Sequence, residues 1–228
     1  MAKRMNYHHI PTAILVDGAF FLKRYRKCFA EGKTNYTPKE VADKMHEYLL
    51  KHLNDFDDLY RIFYCDSLPL DKRAHNPINK KSIDFSKTDI YKFRMNLFDE
   101  LKKHRKVALR LGYVKSMGDW QIHTPQLKKL FNGSLKFEDL TEEDVYLNIK
   151  QKGVDIRIGL DIATLSYKKL VKRIILVSGD SDFVSAAKLA RREGIDVILD
   201  PLWQHIDDSL FEHIDGLRSQ IKNPYKPK

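Results

Sequence analysis

At 228 residues, 43% hydrophobic and 32% charged, the chain has the composition of a folded domain with a sizeable core, which excludes a disordered polypeptide. Two cysteines, Cys28 and Cys65, are too few for a disulfide scaffold or a self-sufficient structural zinc site, and they fit a reducing compartment. The net charge of +10 favours a polyanionic partner, nucleic acid or an anionic membrane surface, and says nothing of the fold.

The N-terminal stretch MAKRMNYHHIPT is basic but has no long apolar run behind it, because Ile14-Leu15-Val16 is stopped by Asp17. No segment is long enough to span a bilayer, so the expectation is a cytoplasmic protein without a membrane partner. In chain order, Ala13 to Val16 predicts a strand that ends on Asp17 and leads into the helical GAFFLKRYRKCF. Val41 to Leu53 has helix-like apolar spacing, with Pro38 at its start. A second strand is expected over Leu59 to Asp66, followed by an exposed loop over 66–84 with two prolines and almost no apolar pattern. Next come a helix from Ile90 to Lys103, an antiparallel hairpin of VALRLGYVK and WQIH across the Met117-Gly118-Asp119 break, and an edge strand in DVYLNIKQKG. Arg173 to Val177 is a further parallel strand. Phe183 to Ala190 then reads as a helix that stops near Gly194, and Asp196 to Leu199 as the last strand.

Strand and helix alternate at both ends of this chain, which is how a parallel sheet with crossover helices is written. The expected architecture is one α/β domain over 1–221, with a central insertion at about 66–150 and a loose tail over 222–228.

The apolar run Ile174 to Val177 ends in Ser178-Gly179-Asp180-Ser181-Asp182-Phe183, two carboxylates one residue apart. In open parallel sheets ligands bind beyond the carboxyl ends of the strands, where Asp17, Asp180 and Asp182 would converge. The segment KGVDIRIGLDIATL adds Asp155 and Asp161. Six residues at 3.6 per turn take those two off a common helix face, and Asp155, beside the Gly153 turn, is the better member of the cluster.

Clustered carboxylates either take up protons or recruit a divalent cation, and an all-oxygen donor set selects Mg²⁺ or Mn²⁺ over zinc. The competing explanation is local: Asp182 as a helix N-cap and Asp17 as a turn residue before Gly18, while Asp66 at its strand end reads equally as a distal carboxylate or as the lead into a proline-rich loop. Convergence of acids from three separated segments favours the site.

The blocks AILVDGAFF, KGVDIRIGLDIATL and RIILVSGDSDFVSAAKLARREGIDVIL resemble the three motif blocks of the NYN domain, in the LabA-like DUF88 branch of the PIN-like nucleases. The resemblance implies a PIN-like three-layer α/β/α fold, with a central mainly parallel sheet and a small insertion carrying a helix and a β-hairpin. It also implies a ribonuclease site that binds Mg²⁺ or Mn²⁺ and hydrolyses RNA phosphodiesters. The family's acids fall on Asp17, Asp155, Asp180 and Asp182, with Asp161 the second acid of the helix block. Family members often carry Asn shortly after the first Asp-Gly, a DGxN pattern, whereas this chain has Asp17-Gly18-Ala19-Phe20.

For the substrate, Lys102, Lys103, Arg105, Lys106, Arg110 and Lys115 form an acid-free run suited to a phosphate backbone or, equally, to a solvated face. Lys72, Arg73, His75, Lys80 and Lys81 are a second basic set. Tyr113 and His123 are available to stack on unpaired bases, and Trp120 is expected in the insertion's own core. The leading expectation is a metal-dependent endoribonuclease acting on single-stranded RNA. Its alternatives are a regulatory RNA- or nucleic-acid-binding module with little turnover and, more remotely, a nucleotide-sugar transferase using Asp180-Ser181-Asp182 as a DxD motif. A homo-oligomer is left open.

Overall fold

The computed structural model describes residues 9–30 and 32–225, so the first eight residues and the last three of the expected tail lie outside the described residues. Strand β1 (Ile10–Asp17) runs directly into helix α1 (Gly18–Cys28), and helix α2 (Pro38–Leu50) follows. A capping box starts α2: Thr37 Oγ1 accepts from Glu40 N at 3.2 Å and Glu40 Oε2 from Thr37 N at 2.6 Å, with Pro38 at the first helical position. Then come β2 (Asp57–Ser67), the short β3 (Arg73–His75) and β4 (Ser82–Asp84), α3 (Asp89–Lys103), β5 (Val107–Ile122), α4 (Thr124–Phe131) and β6 (Val145–Lys152). The chain closes with α5 (Val154–Tyr167), β7 (Arg173–Val177), α6 (Val184–Arg192), β8 (Asp196–Asp200), α7 (Asp208–Phe211) and β9 (Gly216–Leu217).

Seven strands form one sheet in the order β6-β5-β2-β1-β7-β8-β9, and every pair is parallel except β5 with β6. The apolar runs are continuous because both faces are covered. Ile14 and Val16 of β1, Ile62 and Tyr64 of β2 and Ile175 and Val177 of β7 point to one core, shared with Phe21, Met45 and Phe98 of α1, α2 and α3. Their neighbours Ala13, Leu15, Phe63, Ile174 and Leu176 point to the other, shared with Ile158 and Ile162 of α5 and Ala187 of α6. This is the expected three-layer α/β/α sandwich. Each fully buried Leu, Ile or Phe in it contributes about 1.5–3 kcal/mol by leaving water.

Three local features differ from the sequence expectation. Within 66–84 the chain makes the β3–β4 hairpin, which has no apolar alternation to announce it. It is organised by buried Asn76, whose Oδ1 accepts from Ile78 N at 2.9 Å while its Nδ2 donates to the Glu142 carbonyl at 3.2 Å. VALRLGYVK and WQIH do not pair with each other. They form one long strand, β5, irregular between Ser116 and Trp120, whose antiparallel partner is β6. Helix α4 also lies in the insertion, where the sequence reading expects no second helix; Leu127, Leu130 and Phe131 share one of its faces, but none of its residues is buried. At the C-terminus Tyr225 is hydrogen-bonded through its hydroxyl to Arg24 Nη1 at 2.8 Å.

Candidate functional site

The chain leaves β1 to build β2 and β5 on one side of the sheet, then returns to lay β7 against the other side of β1. The carboxyl ends of β1 and β7 therefore flank the switch point, where an open α/β sheet leaves a crevice. Asp17 is the last residue of β1, and Asp180 follows β7 by three residues.

Two of the acids also have local structural tasks. Asp17 is the N-cap of α1, its Oδ1 accepting from Phe20 N at 3.0 Å. Asp180 caps the 3₁₀ turn Ser181–Phe183, accepting from Asp182 N at 3.0 Å, and is set by Ser178 Oγ, which accepts from Asp180 N at 3.3 Å. The cap expected of Asp182 thus belongs to Asp180, because the chain turns once before α6 begins; α6 itself has no side-chain cap. Asp155 is the second residue of α5, which starts at left-handed Gly153 (φ 77°).

Asp66, weighed in sequence only as a distal carboxylate or a loop lead, is fully buried beside this group. Tyr64 Oη donates to its Oδ2 at 3.0 Å, Ser67 N to its Oδ1 at 2.7 Å, and Arg94 from α3 pairs with it. Its approach to β1 depends on Gly18, where a Cβ would fall 2.5 Å from Tyr64 Cζ and 2.7 Å from Asp66 Oδ2. Arg94 was not identifiable in the sequence: it lies 28 residues beyond Asp66 on an ordinary amphipathic helix, with no motif around it.

The electrostatics show which acids face one another. Burial pushes the Asp17 carboxyl from its ordinary 3.8 up to about 6, opposed by the Phe20 amide and reinforced by Asp155, Asp66 and Asp180. Asp155 is raised by desolvation and then by the charges of Asp180 and Asp182. Burial also raises Asp66, with Arg94 pulling the other way. Asp17 thus feels the charges of Asp155, Asp66 and Asp180, and Asp155 those of Asp180 and Asp182. Among the described residues no salt bridge reaches the set Asp17, Asp155, Asp180 and Asp182, Arg94 being committed to Asp66 and Arg110 to Asp161 at 2.8 Å.

The donors of this set are hard oxygens without an ion pair among the described residues, the chemistry that suits Mg²⁺ or Mn²⁺. Among the described residues, however, no three His, Cys, Asp or Glu side chains are gathered tightly enough to make a ready metal cage.

Asp161 has a partner of its own. It pairs with Arg110 of β5, whose guanidinium lies 4.9 Å from the centre of the Phe63 ring. The basic run is likewise split. In the parallel register Ile62 of β2 pairs with Val107 and Cys65 with Arg110. Lys102, Lys103, Arg105 and Lys106 precede that register, at the amino end of the strands and away from the acid rim. Lys102 and Lys103 are bound there to Asp99 and Glu100 of their own helix. Only Lys115 stands beyond the rim, on the projecting part of β5. Of the second basic set, Arg73 pairs with Asp84 at 3.1 Å. Tyr113 is 57% exposed, Trp120 is half-buried, and His123 lies against the Tyr146 ring at 4.7 Å. A cavity of about 990 Å³ opens on the α1–α3 side, lined by Lys23, Arg26, Tyr36, Phe93 and Arg94 among others. Arg94 links it to the rim.

Fold and rim together define a class: a three-layer α/β protein with an acid cluster at the switch point of a parallel sheet. The NYN domain profile matches residues 11–210, and the chain belongs to the NYN domain family. That is a PIN-like nuclease family, which supports a nuclease-type, RNA-related function. The chain is also similar to the crystal structure of a protein of unknown function from Vibrio parahaemolyticus. The two are 15% identical, the match covers 95% of this chain and 94% of that one, and the TM-score is 0.44. No curated protein matches it. Among the described residues no helix is long and apolar enough to cross a membrane.

Proposed function

We propose that this protein is a metal-dependent endoribonuclease that hydrolyses phosphodiester bonds in single-stranded RNA. The observation that carries this reading is the gathering of Asp17, Asp155, Asp180 and Asp182 at the ends of β1 and β7 and the start of α5, where no salt bridge reaches any of them among the described residues. These four would hold Mg²⁺ or Mn²⁺, which when bound supplies a Lewis acid for the phosphate and acidifies a coordinated water. The chain's own contribution is orientation. The capping bonds to Phe20 N and Asp182 N hold the Asp17 and Asp180 carboxylates in place, and the Gly153 turn sets Asp155. Asp161, paired with Arg110, takes a positioning role that ties α5 to β5. The motif blocks favour the LabA-like DUF88 branch, and two free cysteines fit a cytoplasmic setting.

The test is cleavage of end-labelled single-stranded RNA by wild type and Asp180→Asn, each in Mn²⁺, Mg²⁺ or EDTA. Asn keeps the cap and removes the charge, so the expected outcome is cutting by wild type with metal and a loss of at least a hundredfold in the variant. Equal cutting by both would end the assignment.

A second reading, an RNA-binding module with little turnover, draws on Phe20 at the family's Asn position and on the absence, among the described residues, of a ready metal cage. Salt-sensitive RNA binding without cleavage in either metal would select it. Family membership speaks against the nucleotide-sugar reading of Asp180-Ser181-Asp182.

A further inference from the structure

The β5–β6 pair begins where the rest of the sheet ends. Gly112 is the last residue of β5 with a partner in β2, Ser67, and β6 pairs only with residues from Tyr113 onward, so the two strands project beyond the rim as a ribbon. In an antiparallel pair, residues directly opposite share a face, as do residues two apart on one strand. Tyr113 lies opposite Lys152, and Lys115 opposite Lys150. One face of the ribbon, at its root, thus carries three lysines and a tyrosine, all four exposed.

The Lys115–Lys150 pair is a like-charge cross-strand pair, an arrangement that destabilises a ladder. Unlike Lys102, Lys103 and Arg110, these three lysines have no salt bridge among the described residues. Asp119, the acid that feels Lys150, is occupied by Asn148 Nδ2 at 3.0 and 3.3 Å. The acids Glu142, Glu143 and Asp144 precede β6 at the far end of the ribbon, the nearest of them about 27 Å from Lys152 at about 3.4 Å per residue. Lys152 is three residues from Asp155, and the two are held in fixed relation: Gly112 lets the Lys152 carbonyl approach to where a Cβ would stand only 2.4 Å away.

We propose that this ribbon face, Lys115, Lys150 and Lys152 with Tyr113, is the track along which the phosphate backbone of single-stranded RNA enters the acid rim. A polyanion supplies the countercharge that the Lys115–Lys150 pair lacks, and the exposed Tyr113 ring offers a surface for one unpaired base. This rests on the ribonuclease reading of the rim but is measured apart from it. Binding is read in EDTA, so failure of Asp180→Asn to lose cleavage and failure of the ribbon variants to lose binding are separate results.

The experiment titrates a fluorescent single-stranded RNA with the full chain between 50 mM and 1 M NaCl. Wild type is compared with the triple variant Lys115→Gln, Lys150→Gln, Lys152→Gln and with the control set Lys102→Gln, Lys103→Gln, Arg105→Gln. With about 0.7 counterions released per contact on a single strand, the ribbon variant should lose about 2 from the log–log salt slope. That corresponds to weakening on the order of a hundredfold at 50 mM NaCl, fading toward wild type near 1 M. The control set keeps the wild-type slope, and Tyr113→Ala weakens binding by roughly tenfold without changing the slope. Melting of the ribbon variant at or above the wild-type temperature shows that lost binding is not lost fold. Wild-type affinity in the ribbon variant, or an equal drop in the control set, would overturn the proposal. So would ribbon-dependent binding to phosphatidylserine vesicles with none to RNA.

Discussion

Asp17 illustrates how a candidate site residue burdens the fold that presents it. Its carboxyl is pushed up to about 6 by burial and by neighbouring acids, whereas in the unfolded chain it titrates near its ordinary 3.8. The native state therefore binds that proton more tightly than the unfolded state, and stability falls as pH rises from about 4 through 6. Above that window the ionised group costs up to about 3 kcal/mol, at 1.36 kcal/mol per unit. Asp17→Asn keeps an acceptor for Phe20 N and loses the charge. Urea unfolding in EDTA should show the variant more stable than wild type at pH 7.5 by up to about 3 kcal/mol, with the gain gone at pH 4. A gain of equal size at both pH values would mean that the charge is not the cause.

At the scale of elements, the position of Asp155 is decided by how tightly β6 and α5 meet β5. Gly112 admits the Lys152 carbonyl, and a methyl group there would meet backbone, which cannot turn aside as a side chain can. Gly112→Ala should cost about 1–3 kcal/mol and reduce cleavage as the start of α5 shifts. Gly159, inside α5 with nothing within 4 Å of an added Cβ, is the contrast: Gly159→Ala should stabilise by about 0.5–1 kcal/mol and leave cleavage intact. Thermal melts of the two variants decide the matter, and destabilisation by Gly159→Ala would refute the packing account of this helix. Neither glycine's role could be read from the sequence. Gly112 sits in an unremarkable strand and Gly159 in a helical pattern, and only the close approach of a second chain segment distinguishes them.

Across the whole molecule, buried Asp200 at the end of β8 fastens distant parts together. It accepts from Tyr48 Oη at 2.6 Å, Leu202 N at 2.9 Å and Ser219 Oγ at 2.6 Å, and His52 Nε2 lies 2.9 Å away. Burial and the Asp200 charge drive the Tyr48 hydroxyl far above its ordinary range, so it remains a donor. Asp200→Ala removes both accepting oxygens and leaves several buried donors without a partner. The expected loss is about 3–5 kcal/mol in unfolding free energy, with the acid rim chemically unaltered. A loss below about 1 kcal/mol would show that water or a rearranged Ser219 fills the gap.

The sequence by itself determined the alternation of strands and helices, because burial on both faces of a parallel sheet forces continuous apolar runs. It also marked Asp17, Asp155, Asp180 and Asp182 as candidates for one rim, since strand ends and helix starts are local features with strong signals, while the strand order that sets β7 beside β1 is tertiary. The tertiary structure decided the partners. Arg94 meets Asp66 and Arg110 meets Asp161 across separations of 28 and 51 residues, which no local pattern encodes. It also divided the basic run between the two ends of the sheet, because strand register, and not proximity in sequence, sets which charges share a surface.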